Sequence, residues 1–204
     1  MTKLIDFSNY KSILCLDGAL PNTLFFRCHL PIIAADGAAN TLMQMGIRPD
    51  IVIGDLDSIS APLRHQLPSL HFPDQNYCDF EKCLDYLEKK QWLPTIITGI
   101  NGGYLDHVLN NVNLFLHTKN LCYAPPLIGL SIQENESKEF VLPTNTKLSV
   151  LGIPSAIISS QGLRWELDHY ALAFPGKTSC FNRTVSSVIR LTVHHGNVFL
   201  LIYE

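Results

Sequence analysis

Four unbroken apolar runs constrain this chain more than any other feature: SILCL (12–16), PIIAA (31–35), DIVIG (50–54) and TIITG (95–99). They lack the alternation of a half-exposed strand and read as strands buried on both faces, as in a parallel sheet covered by helices. Helical patterns lie between and after them. ANTLMQMG ends at Gly46 with Pro49 just beyond, a helix stop. In DFEKCLDYLEKK, Phe80, Cys83, Leu84 and Leu87 recur at i, i+3, i+4 and i+7. In LDHVLNNVNLFLH, Leu105, Val108, Leu109, Val112 and Leu116 repeat the spacing, so each segment is expected to bury a stripe. Alternating strands and helices predict an α/β domain with a mostly parallel, Rossmann-like sheet over residues 1–122.

The texture then changes. FVL, KLSVL, AIISS, LRWEL, SSVIRLTV and NVFLLIY are short and β-branched, separated by turn-rich QENES, GIPS and HHGN. An all-β sandwich or barrel is expected over 123–204, with the boundary near Tyr123–Pro126. The total of 204 residues suits one large domain or two small ones, at about 100–200 residues each.

Charge excludes some classes of function. Net charge is -3 with 15 Lys+Arg and no basic run, so the clustered positive stripe that binds nucleic acid is missing. No apolar stretch approaches the ~20 residues of a membrane span. The opening MTKLIDFSNYKSILCLDG is broken by Asp6, Asn9 and Lys11 and makes a poor signal peptide. Six cysteines without a C-x-x-C pair predict reduced, buried thiols in a cytoplasmic protein.

The polar residues fall at the strand ends. Each run leads into a small residue with an acid or a glycine: Asp17-Gly18, Asp36-Gly37, Asp55 and Asp57, and Gly99 followed by Asn101-Gly102-Gly103. Open α/β sheets bind ligands outside the carboxyl ends of their strands, so these residues should share one rim. Asp79 and Asp106 open the two helices that reach the same rim, and Lys82 lies one turn after Asp79. Singly, each acid has an ordinary explanation: an N-cap for Asp79, the helix dipole for Asp106, a turn for Asp55 and Asp57. A capping box starting at Asp79 would need Glu or Gln at position 82, where Lys82 stands. Together, carboxylates this close repel one another unless neutralised. Oxygen donors without converging His or Cys favour Mg2+, and a glycine-rich loop at a helix start suits a polyphosphate. Neither the P-loop nor the G-x-G-x-x-G pattern is present.

DGAAN (36–40), PDIVIGDLDSI (49–59), DQNYCDFEKCLDYL (74–87) and GGYLDHVLNNVNLF (102–115), in this order, resemble the thiamine pyrophosphokinase family. GLRWEL (162–167) is similar to that family's thiamine-binding strand, and SCFN (179–182) and GNVFLLIY fall where its last strands do. The resemblance implies transfer of a pyrophosphoryl group from ATP to the hydroxyl of thiamine, in a homodimer pairing an α/β domain with a β-sandwich. It implies Asp55, Asp57 and Asp79 as Mg2+ ligands and Asp106 in the nucleotide and metal shell. Gln75 and Lys82 would contact phosphates or the reacting groups, Lys82 with a catalytic role, and Asp36, Asn40, Gly102 and Gly103 would line the nucleotide cleft. Trp165 would stack on thiamine, with Ser179 and Asn182 hydrogen-bonding nearby.

The residues of GLRWEL taken alone read differently. Leu163, Trp165 and Leu167 share one strand face, so core packing is the ordinary expectation for Trp165. His107 is read as structural, and His194 and His195 as flanking a solvated turn. Tyr104 stands where the family often has Arg, Ala38 for Gly, Cys78 for Thr and Phe181 for Ser. Two other functions fit the same acids: a Mg2+-dependent phosphohydrolase or pyrophosphokinase with another acceptor, and a thiamine- or nucleotide-binding protein without catalysis.

Overall fold

The computed structural model describes residues 5–204. The chain separates into two compact units, 1–124 and 125–204.

In the first unit, β1 (Ser12–Cys15), β2 (Ile32–Ala35), β3 (Ile51–Gly54), β4 (Ser69–His71), β5 (Thr95–Thr98) and β6 (Leu121–Ala124) lie in the order β6-β5-β1-β2-β3-β4. Each adjacent pair is parallel. Burial explains the unbroken apolar runs: Ile13, Leu14, Ile33, Ile53, Ile96 and Ile97 are fully enclosed. From β1 the chain steps one way through β2, β3 and β4, then returns to the other side of β1 for β5 and β6. The strand order thus reverses at β1 and β5, where an open sheet leaves a crevice at its carboxyl edge.

Among the described residues four α-helices accompany these strands: α1 (Ala38–Gln44), α2 (Ala61–Gln66), α3 (Asp79–Lys89) and α4 (Leu105–Leu116). Gly46, at φ 75, adopts the left-handed conformation that stops α1. The α3 stripe is buried at Phe80, Cys83 and Leu87. The α4 stripe is not. Phe115 and Leu116 are enclosed, but Leu105 is 73% and Leu109 55% exposed. Helical period fixes which residues share a face, whereas burial of that face depends on what packs against it. No helix among the described residues is long and apolar enough to cross a membrane.

The second unit is all β: β7 (Leu127–Ile132), β8 (Ser137–Val141), β9 (Lys147–Gln161), β10 (Tyr170–Ala173), β11 (Ser179–Arg183) and β12 (Val188–Tyr203). Every pairing is antiparallel. The long strands β9 and β12 pair with each other and each serves two further partners, β10 and β11 on β9, β7 and β8 on β12. Leu148, Val150, Ile158, Leu191, Val193 and Leu200 form its core.

Three expectations are corrected here. GIPS is not a turn; it lies inside β9. HHGN is not a turn either: it lies inside β12, whose register to β9 shifts between Val193 and His195 and again between Gly196 and Val198. A β-bulge bends a strand without ending it, so turn-forming residues mark the bend as readily as a reversal. His194 and His195 accordingly have partners, Ser159 Oγ at 2.8 Å and Glu134 at 2.8 Å. GLRWEL, read as a strand, is an irregular loop between β9 and β10, joined to the sheet by a bridge from Leu163 to Thr184 and by backbone hydrogen bonds from Arg164 N to Arg183 O (2.8 Å) and from Ser160 N to Leu167 O (2.8 Å). The six cysteines are all free thiols; Cys15, Cys83 and Cys122 are buried, Cys28 and Cys78 half-buried, and Cys180 exposed.

Candidate active site

At the carboxyl edge of the parallel sheet lies a cleft of about 470 Å³. Its walls include Asp36, Asp55, Asp79, Lys82, Gly103 and Asp106. Asp36 follows β2 in a left-handed conformation (φ 34), unusual for a residue with a side chain, and is only 2% exposed. The backbone N–H groups of Ser58 (3.0 Å) and Ile59 (3.2 Å) donate to its two oxygens. Asp36 thereby ties the end of β2 to the loop that presents Asp55. Asn40 supports that loop from α1, donating to Ser58 O at 2.9 Å and accepting from Ser60 N at 2.9 Å. It acts as a brace for the loop.

Asp79 is the first residue of α3, not its cap. Cys78 is the N-cap, and Glu81 accepts from the Cys78 N–H at 2.9 Å, so a capping box is present but starts at Cys78, one residue before the N-cap position considered from sequence. Asp79 is therefore free of capping and turns into the cleft. Lys82, one turn on, is buried and donates to it at 3.0 Å.

One carboxylate oxygen each from Asp36, Asp55 and Asp79 lie within 4.8 Å of one another. Gly54 permits the approach. A Cβ there would meet Asp36 Cβ at 2.8 Å and Asp79 Cγ at 3.0 Å, so any side chain at the end of β3 would push the acids apart. Gly18 and Gly99 instead let backbone segments approach each other, since a Cβ on Gly18 would sit 2.3 Å from Gly99 O and one on Gly99 2.2 Å from Leu16 O.

The electrostatics follow from this crowding. Burial raises the Asp36 carboxyl above its ordinary range, opposed by the Ser58 N–H and reinforced by Asp79. Burial also raises Asp79, against the hydrogen bond and charge of Lys82 and with the repulsion of Asp55 and Asp57. Asp55 goes the other way: Gln75 Nε2, donating at 2.7 Å, leads in holding its carboxyl low. Burial works against the Lys82 ammonium, yet Asp79, Asp55 and Asp74 together carry its pKa above the usual value. The two partners therefore rise for different reasons: Asp79 because burial outweighs the bond and charge of Lys82, and Lys82 because the surrounding acids outweigh its own burial. A converging set of hard oxygen donors with surplus negative charge fits a divalent cation such as Mg2+.

The other expected residues vary. Asp57 is exposed beside Asp55 and lies outside the converging trio. Gly103 lines the cleft, whereas Gly102, at φ 90, packs its Cα side against Ala19 and shapes the loop. Asp106 sits in the first turn of α4, whose N-cap Tyr104 supplies no side-chain acceptor. His107, read as structural, also lines the cleft. Sequence reasoning named Asp36 as a cleft residue but missed its place in the trio, and it missed Gly54; the signal available was a glycine between a buried strand and two acids.

In the second unit, Trp165 is not core. It is 57% exposed between buried Leu163 and Leu167, because the loop abandons the period of two. The Arg164 guanidinium lies 5.4 Å from its ring centre. Asn182 is 1% exposed and bonded to the loop: it donates to Trp165 O at 2.8 Å and to Ser179 Oγ at 3.2 Å, and accepts from Trp165 N at 3.2 Å. Its side chain is engaged in holding Trp165.

Residues 23–123 match the family described as "Thiamin pyrophosphokinase, catalytic domain". Thiamine pyrophosphokinase 1 from Oryza sativa subsp. japonica is 24% identical over 232 residues, covering 92% of this chain and 85% of that protein. Thiamin pyrophosphokinase 1 from Caenorhabditis elegans is 26% identical, covering 84% of this chain and 79% of its own. The crystal structure of yeast thiamin pyrophosphokinase superposes with a TM-score of 0.81 at 18% identity, over 96% of this chain and 86% of that one, a likeness of fold. The chain belongs to the thiamine pyrophosphokinase family.

Proposed function

We propose that this protein transfers the pyrophosphoryl group of ATP to the hydroxyl of thiamine, giving thiamine diphosphate and AMP. The observation that carries this reading is the convergence of Asp36, Asp55 and Asp79 in a glycine-walled cleft at the carboxyl edge of a parallel sheet. The first unit works as a Rossmann-like nucleotide domain. Asp55, Asp57 and Asp79 would hold Mg2+, and Asp36 adds a carboxylate beside Asp55 and Asp79. When bound, the metal neutralises charge on the triphosphate and helps to align it.

The chain's own residues do the remainder. Gly103 and the N-terminus of α4 receive phosphate oxygens through backbone N–H groups. Gln75 orients Asp55, and the buried Lys82 ammonium places positive charge where negative charge builds up. Attack of the thiamine oxygen on the β-phosphorus breaks that atom's bond to the oxygen bridging it to the α-phosphate, and AMP leaves with the bridging oxygen. Such a transfer needs alignment and charge stabilisation more than covalent help. The hydroxyl proton passes to Asp79 or Asp106, both of which line the cleft.

Trp165 stacks on thiamine, a role supported by its exposure. A second copy of the chain is the proposed protein partner, and the exposed Leu105 and Leu109 of α4 support an apolar contact. Cytoplasmic residence accords with six free thiols.

The test is product analysis after incubation with ATP, Mg2+ and thiamine. Equal amounts of AMP and thiamine diphosphate, lost on chelation, are expected. ADP with thiamine monophosphate would overturn pyrophosphoryl transfer, and phosphate release independent of thiamine would favour a phosphohydrolase.

A further inference from the structure

The loop from Gly162 to Leu167 carries an exposed indole on a heavily restrained backbone. Asn182 fixes the main chain of Trp165 from β11. The second restraint comes from the neighbouring residue. Glu166 turns its carboxylate back into the loop: one oxygen accepts the backbone N–H groups of Gly162 (2.6 Å) and Leu163 (2.9 Å), and the other accepts from Ser160 Oγ. Ser160 Oγ in turn accepts from Leu167 N at 2.8 Å, so the turn is closed at both ends. Gly162 adopts φ 88, and a Cβ there would meet Val188 O at 2.8 Å, so the starting point of the turn is fixed too.

None of these bonds buries Trp165, which stays 57% exposed. A turn built only for stability would fold its largest apolar side chain inward. Here Leu163 and Leu167 point in and the indole points out. Restraining a binding loop beforehand removes the ordering cost that a ligand would otherwise meet.

We propose that Glu166 is a positioning residue that holds Trp165 ready for its ring-shaped, cationic ligand. This rests on Trp165 contacting thiamine, as proposed above. Glu166 itself touches no substrate.

The test uses the full chain with Trp92→Phe as background, so that Trp165 is the only tryptophan. Glu166→Ala, Glu166→Gln and Trp165→Ala are compared by the KM for thiamine and the KM for ATP, and the two Glu166 variants also by the fluorescence anisotropy of Trp165. Glu166→Ala should raise the thiamine KM about fivefold, hold the ATP KM within about twofold and lower the anisotropy, because the loop must then be ordered on binding. Glu166→Gln keeps an acceptor for both N–H groups and should restore the thiamine KM to within about twofold of the parent. An unchanged thiamine KM and anisotropy in Glu166→Ala, beside a raised KM in Trp165→Ala, would overturn the positioning role and leave the thiamine contact standing. An unchanged KM in Trp165→Ala would overturn that contact and the positioning role with it. A parallel rise in both substrates' KM values in Glu166→Ala would mark a general structural defect and would also overturn the proposal.

Discussion

The acidic cleft of the first unit and the Trp165 loop of the second hold functional side chains by different means. In the cleft, Asp36 and Asp55 follow directly from β2 and β3, and Asp79 starts α3. Regular structure positions them, and Gly54 makes their convergence possible. In the loop no strand positions Trp165. Side chains distant in sequence do so: Asn182 from β11, Ser160 from β9 and Glu166 from the loop itself. The first arrangement concentrates unlike-to-coexist charges on a rigid frame; the second makes an exposed ring rigid with hydrogen bonds. Damage to the cleft should therefore appear in turnover and in metal-dependent nucleotide binding, and damage to the loop in the affinity for thiamine.

The largest effect is expected at the acids. Asp79→Asn should lower kcat by about 10³-fold, because removing one preorganised electrostatic group at a phosphoryl centre commonly has that size of effect. Circular dichroism should show the fold retained, since Asp79 is only half-buried and caps nothing. Gly54→Ala should follow with a loss of roughly 10²-fold, since the added methyl meets Asp36 and Asp79. Equal turnover in Gly54→Ala and the parent would show that the trio need not converge.

Asn182→Ala tests the loop's attachment. It strands the Trp165 N–H and carbonyl and should cost about 1–3 kcal/mol, read as a lower melting temperature together with a higher thiamine KM. Trp165→Ala should raise the thiamine KM alone, by about two- to thirtyfold for a cation–π contact of ~0.5–2 kcal/mol. Smallest is Lys89→Ala, which removes the exposed pair with Asp85 on α3 and should shift stability by under about 0.5 kcal/mol with no kinetic effect.

The difference between the two regions also explains what could be read from sequence. β1, β2, β3 and β5 announce themselves because burial on both faces demands unbroken apolar runs, and the acids at their ends inherit positions from that pattern. β4 does not: Ser69–His71 is a three-residue edge strand with no periodicity to detect. In the second unit β9 and β12 bend without breaking, so Pro154 and Gly196 mimic turns inside continuous strands. The exposure of Trp165 was illegible because the alternation of Leu163, Trp165 and Leu167 suits a strand, while the loop is set by Asn182, seventeen residues further along the chain from Trp165. The α4 stripe was legible as a face, but its exposure depends on packing that helical spacing does not encode.

The most direct test of the division of labour is a pair of calorimetric titrations on Asp79→Asn and Trp165→Ala, using Mg2+ with a non-transferable ATP analogue in one and thiamine in the other. Asp79→Asn should lose metal-dependent binding of the nucleotide analogue while keeping thiamine, and Trp165→Ala should bind thiamine about two- to thirtyfold more weakly while keeping the nucleotide analogue. Loss of nucleotide binding in Trp165→Ala with thiamine binding intact would contradict that division.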